Sequence, residues 1–212
     1  MEEELPKMDD DLRENILSGE EVFHGKIINV EHWQVSLPDG KTALREVVKH
    51  NGAAAIVPVD ENGYVTLVRP HRVAIDRFTW EIPAGKLDSP TEDPFLAAQR
   101  ELEEETGLRA ENWQLLTRID TTPGFCTERI ALYLATGLSQ HETHPDADEF
   151  LHLTKMPLSE AAALCMKGEL RDSKTIIGLL MADRIMREQT RDPLFAAATM
   201  QRGTGAVSSP NA

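Results

Sequence analysis

Hydrophobic residues fall in short runs bounded by turn residues along most of the chain, and take a helical spacing in three places. Runs at Val22–Val30, His32–Leu37 and Thr42–Lys49 read as strands. Pro38-Asp39-Gly40-Lys41 lies between the last two and makes them a hairpin. Ala53–Val57 is apolar throughout, as in a strand buried on both faces, and Pro58 marks its end. Asp60-Glu61-Asn62-Gly63 turns the chain into a strand over Tyr64–Arg69, and Phe78–Ile82 reads as a further short strand stopped by Pro83 and Gly85.

A helix follows, with Asp93 as its cap, Pro94 at its first position and Gly107 where a left-handed residue ends it. Trp113–Ile119, Arg129–Thr136 and Phe150–Met156 read as strands. Two closing helices are expected, one from Ser159 to Gly168 and one from Ser173 to Arg187. The pattern is α+β, a many-stranded sheet with one helix in the middle and two at the end. Residues 1–20 form an acidic segment that fits a short helix or disorder. Residues 21–190 form one domain, and 191–212 are rich in small residues and read as a mobile tail.

Charge narrows the functions available. Over 212 residues, 36 acidic side chains against 22 basic ones give −14, which disfavours non-specific binding to nucleic acid or an anionic membrane. A phosphate-bearing ligand would need arginines or divalent cations to reverse the sign locally. No run approaches the ~20 apolar residues of a membrane span. The acidic start is unlike a secretory signal, and Cys126 and Cys165 make neither a disulfide framework nor a metal pattern, so the cytoplasm is the expected compartment. The seven histidines form no ligand spacing.

The helix after Asp93 carries the chemistry. At 100° per residue, Glu101, Glu104 and Glu105 share about one quarter of its circumference, beside an apolar stripe of Phe95, Ala98 and Leu102, while Glu103 points away. Like charges at these spacings repel, and they stand in the half of the helix where the dipole disfavours anions. A divalent cation such as Mg²⁺ resolves the conflict, with Arg100 one turn before Glu104 to fix it. Taken alone, Arg-Glu-Leu-Glu-Glu-Glu also reads as a solvated charge run.

Gly85, Glu92, Arg100, Glu101, Leu102, Glu104, Glu105, Gly107 and Leu108 together resemble the Nudix box, the signature of a family of diphosphate hydrolases. Six residues separate Gly85 from Glu92, one more than the family spacing, and the extra residue falls in the Ser89-Pro90-Thr91 turn. Trp80-Glu81-Ile82-Pro83-Ala84-Gly85, the proline at 123 and Gly168–Thr175 are similar to the ADP-ribose pyrophosphatase branch.

The resemblance implies a Nudix-type α/β/α sandwich with an N-terminal strand arm over 22–49 that crosses to a second subunit of a homodimer; a plain hairpin on the same chain is the alternative. It implies hydrolysis of ADP-ribose to AMP and ribose 5-phosphate with Mg²⁺, or Mn²⁺ in its place. Another nucleoside-diphosphate sugar such as a GDP-sugar, or a binding sensor without turnover, are the rival readings. Glu101, Glu105 and the Ala84 carbonyl would be metal ligands, and Glu104 would assist catalysis. Glu149 on the acidic loop would be a second catalytic carboxylate, with Asp146 and Asp148 as competitors. Arg45 and Arg72 would clamp the substrate, for which a planar guanidinium suits phosphate, or form surface ion pairs. Pro123 would line the substrate site. Glu81 would bind ribose hydroxyls or help hold a metal. Trp33 would stack on adenine or belong to a core or interface.

Overall fold

The computed structural model describes residues 10–142 and 151–191. It divides into two compact units, one of residues up to Asn51 with Asp120–Glu128, the other of Gly52–Ile119 with the chain from Arg129 onward.

The first unit is a three-stranded antiparallel sheet in the order β1(Asn15–His24), β2(Asn29–Ser36), β3(Thr42–Lys49). The hairpin at Pro38–Lys41 forms as expected, with the Leu37 amide donating to the Lys41 carbonyl and Gly40 at φ 82°. The single strand expected over Val22–Val30 is instead two, because Gly25 closes a tight turn onto the Ile28 carbonyl. Residues 15–20, expected as helix or disorder, are strand, so the boundary placed at residue 20 falls inside β1. Asn15, Ser18 and Gly19 have low strand propensity and are carried by pairing with β2, with register shifts at Ile16/Ser18 and Glu21/Phe23. The Pro123 turn belongs to this unit. Its Phe125 carbonyl accepts from Val48, and Thr127 donates to the Val48 carbonyl.

The second unit is built on a four-stranded sheet in the order β8(Ala84–Lys86), β4(Ala53–Pro58), β10(Arg129–Gln140), β9(Leu108–Asp120), with β4 and β10 parallel. A separate pair joins β5(Tyr64–Arg69) to β11(His152–Pro157). Side chains alternate along β4 and β10 and define the two sides. Ala53, Ala55, Val57, Ile130, Leu132 and Leu134 pack in one core with Leu158, Ala161 and Leu179 of α2(Leu158–Met166) and α3(Ser173–Arg191). Ala54, Ile56, Ala131, Tyr133 and Ala135 pack in the other with Ala97, Ala98 and Leu102 of α1(Pro94–Thr106). This is the α/β/α sandwich expected. Small residues set the layer spacing: a Cβ on Gly178 of α3 would come within 2.9 Å of Val57.

Pro58, expected to end β4, is its last residue and pairs with Ala135. Of the strand expected over Phe78–Ile82, Phe78 ends the short hairpin of β6(His71–Arg72) and β7(Arg77–Phe78), and Glu81 makes a single antiparallel bridge to Val68. Among the described residues no helix is long and apolar enough to cross a membrane.

Candidate active site

The start of α1 is fixed locally. Asp93 Oδ1 accepts from the Phe95 amide at 2.9 Å, Pro94 occupies the first turn, and Gly107 at φ 67° closes the other end. Burial of Ala97, Ala98 and Leu102 against the sheet then sets the rotation of the helix. Glu101 and Glu105 fall along the edge of the buried face, each 8% exposed, and Glu104 is half-buried beside them. Glu103 is on the far side and pairs with Arg109 at 2.5 Å.

The loop entering β8 meets these carboxylates. The Ala84 amide donates to Glu105 Oε2 at 3.1 Å. A Cβ added to Gly85 would overlap the Glu101 carboxylate, so only glycine lets backbone and carboxylate approach this closely. Gly85→Ala should therefore destabilise the protein by about 1–3 kcal/mol, as an overpacked site does. A urea midpoint unchanged from wild type would contradict this.

Arg100 gathers the cluster. Its Nη1 donates to Glu101 Oε1 at 2.6 Å and Glu104 Oε2 at 3.1 Å, and its Nη2 to Glu92 Oε1 at 3.4 Å. Burial works against the Arg100 charge, but Glu101 and the neighbouring carboxylates outweigh it and raise the pKa. Glu92 also accepts from the Asp88 amide at 2.5 Å. The extra residue before it is thus absorbed in the turn, where the Glu92 amide bonds the Ser89 carbonyl, and Glu92 still reaches Arg100.

The donor types suit a hard divalent ion: three carboxylates on one helix edge, with the backbone of residue 84 alongside. In this arrangement Arg100 supplies the positive charge, and no three His, Cys, Asp or Glu among the described residues converge as a metal-ligand set. The cluster fits a metal by the chemistry and crowding of its carboxylates.

Glu81 lies in the interior. It is 2% exposed, and its oxygens already hold four protein donors. Arg72 Nε and Nη2 donate at 2.8 and 2.7 Å, Thr79 Oγ1 at 2.5 Å and Lys174 Nζ at 2.5 Å. Burial alone would raise its pKa, and the bonds from Arg72, Lys174 and Thr79 outweigh burial and hold it at about 2. It holds Arg72 by a two-pronged ion pair. Thr79 and Lys174 were not singled out from the sequence. Lys174 lies 93 residues from Glu81, and the resemblance over Gly168–Thr175 was the single hint of it.

Arg45 and Pro123 belong to the first unit. Arg45 lies opposite Trp33 across β2 and β3 and makes a two-pronged ion pair with Glu14, at 3.0 and 2.5 Å. Trp33 is part-buried, donates to Glu31 and lies under Lys49. Glu149, Asp146 and Asp148 lie outside the described residues, as does the tail from residue 192.

Comparison with known proteins agrees with this geometry. The NUDIX domain model matches residues 49–176. The chain is 42% identical over 168 residues to the ADP-ribose pyrophosphatase of Mycobacterium tuberculosis, covering 77% of this chain and 80% of that one. It is 39% identical over 166 residues to the ADP-ribose pyrophosphatase of Bacillus subtilis, covering 77% and 89%. The crystal structure of an ADP compounds hydrolase superposes with a TM-score of 0.74 at 22% identity, covering 85% of this chain and 97% of that one. With the box residues drawn together around Arg100 and a family model matched over more than half its length, the chain belongs to the Nudix family.

Proposed function

We propose that this protein is a Mg²⁺-dependent hydrolase that adds water across the diphosphate of ADP-ribose, giving AMP and ribose 5-phosphate, in the cytoplasm. The observation that carries the reading is the carboxylate cluster on α1 in a chain 42% identical to an ADP-ribose pyrophosphatase. Mn²⁺ serves as a substitute ion.

Glu101 and Glu105, with the Ala84 carbonyl, would hold the metal. When bound, the metal neutralises the diphosphate and lowers the pKa of the attacking water. Glu104 assists from its half-buried place beside them, kept in position by Arg100. Glu149 takes the proton of the water, with Asp146 and Asp148 the neighbouring carboxylates able to do so. Arg72, half exposed and held along one edge by Glu81, offers its other edge to a phosphate oxygen. Arg45 is the second phosphate-binding arginine and exchanges Glu14 for the ligand. Pro123 lines the substrate site.

The test is phosphate release from a panel of nucleoside-diphosphate sugars, using a phosphatase to free phosphate from the products. ADP-ribose should be the preferred substrate. Finding it the poorest, behind a GDP-sugar for instance, would sink the reading.

The protein acts as a homodimer through its N-terminal strand arm. The support is β1, an edge strand with Ile16, Leu17, Val22 and Phe23 exposed. Light scattering at micromolar concentration should give about twice the chain mass of 23.6 kDa. A monomer mass would rule this out.

A further inference from the structure

Lys174 stands at the start of α3, in a segment that none of the steps above uses. It is 9% exposed, and its ammonium donates to Glu81 and forms an ion pair with Asp172 Oδ2 at 3.1 Å. Asp172 also accepts from the Thr175 amide and hydroxyl, at 3.0 and 2.6 Å, and Thr175 Oγ1 accepts from the Ile82 amide at 3.0 Å. The beginning of α3 thus grips the 79–82 segment at two points. A lysine is rarely buried without a specific partner, and an apolar side chain would close this helix on the sheet at less cost.

The geometry gives the ammonium a purpose. Glu81 Oε1 accepts from Arg72 Nε and Thr79, and Oε2 accepts from Arg72 Nη2 and Lys174. Donors on both oxygens fix the plane of the carboxylate, and a two-pronged pair transmits that plane to the guanidinium. Arg72 is bound by Nε and Nη2, its Nη1 makes no hydrogen bond among the described residues, and its side chain is 51% exposed.

We propose that Lys174 is a positioning residue for the diphosphate site: it holds Glu81 so that Arg72 presents its outer edge to a phosphate oxygen, an inference that rests on the ADP-ribose reading above. The sequence segment around Gly168–Thr175 is then part of the substrate site without touching substrate.

The experiment is steady-state kinetics with ADP-ribose and Mg²⁺ on Lys174→Met, Lys174→Arg, Arg72→Ala and the double variant Arg72→Ala/Lys174→Met, with circular dichroism to establish folding. Lys174→Met should raise KM by about 10-fold while kcat changes by less than about threefold, and Lys174→Arg should restore KM to within about threefold of wild type. Adding Lys174→Met to Arg72→Ala should cost little more, because both act through one contact. An unchanged KM in Lys174→Met, or losses that multiply in the double variant, would overturn the proposal. If Lys174→Met does not fold, Lys174→Gln, which keeps an N–H donor without the charge, is judged by the same KM criterion.

A second readout needs no turnover. In ¹⁵N NMR the Arg72 Nε–H, assigned by its loss in Arg72→Lys, should exchange slowly with water in the wild type and faster in Lys174→Met or Lys174→Gln. Fast exchange in the wild type, or no change in the variants, overturns the positioning role. Absence of ADP-ribose hydrolysis by the wild type would instead overturn the substrate assignment and leave the NMR comparison to decide the role of Lys174.

Discussion

Glu105→Gln should lower ADP-ribose turnover on the order of 10²-fold or more, the scale on which a preorganised charge at a reacting phosphate acts. The substitution keeps an oxygen to accept from the Ala84 amide, so the local backbone has the same partner. What it removes is one negative charge from a crowded cluster, and with it the ligand proposed above for the cation. Glu103→Gln removes a charge two residues earlier on the same helix, but Glu103 faces Arg109 on the far side and its loss should be nearly silent. Turnover measured across a Mg²⁺ titration separates the two. Equal losses in both variants would mean that the rotation of α1 does not define the site, and the assignment of Glu101 and Glu105 to the metal would fall with it.

The second large effect is on stability. Glu81→Ala should cost about 3–5 kcal/mol, because removing the shared carboxylate leaves Lys174 buried and Arg72 without its partner. The same network makes the protein acid-sensitive. The Glu81 carboxyl titrates at about 2 in the folded protein against 4.5 as the ordinary value. A lowered folded pKa contributes stability that is complete above the unfolded value and is lost as pH falls through the folded one. The contribution of Glu81 should thus fade from about pH 4.5 downward, and Glu81→Gln should flatten that part of the profile. Urea midpoints between neutral pH and about pH 3 measure this. Parallel profiles for wild type and Glu81→Gln would show that Glu81 is not the group responsible.

Parts of this site were legible because their causes are local. Asp93-Pro94 and Gly107 set the ends of α1 within a residue, since capping groups act on the turn beside them. The strands Thr42–Lys49 and Tyr64–Arg69 were read with the bounds they have, because turn residues flank both. The helical repeat placed Glu101, Glu104 and Glu105 on one side and Glu103 on the other, and burial of the apolar stripe keeps that rotation.

Other parts depend on partners far along the chain. Residues 15–20 lack a strand's alternation and become part of one because β2 supplies their hydrogen bonds. β9 and β10 run beyond the apolar runs that announced them, since pairing continues through polar residues at Arg109–Asn112 and Ser139–Gln140. Phe78–Ile82 has a strand's composition but pairs at two separate points, Phe78 with His71 and Glu81 with Val68, because Pro83 and the β6–β7 hairpin confine it.

The sequence by itself determined the carboxylate cluster and its family, because one helix carries the cluster and the spacing of a helix is a local property. The tertiary structure alone decided what surrounds Glu81. A carboxylate in Trp-Glu-Ile-Pro has the same formula whether it faces a ligand or the interior. Here the start of α3, 93 residues away, brings Lys174 to one of its oxygens while Arg72 spans both. Burial then makes these bonds obligatory, since an ionised carboxyl out of water persists only where donors replace its hydration.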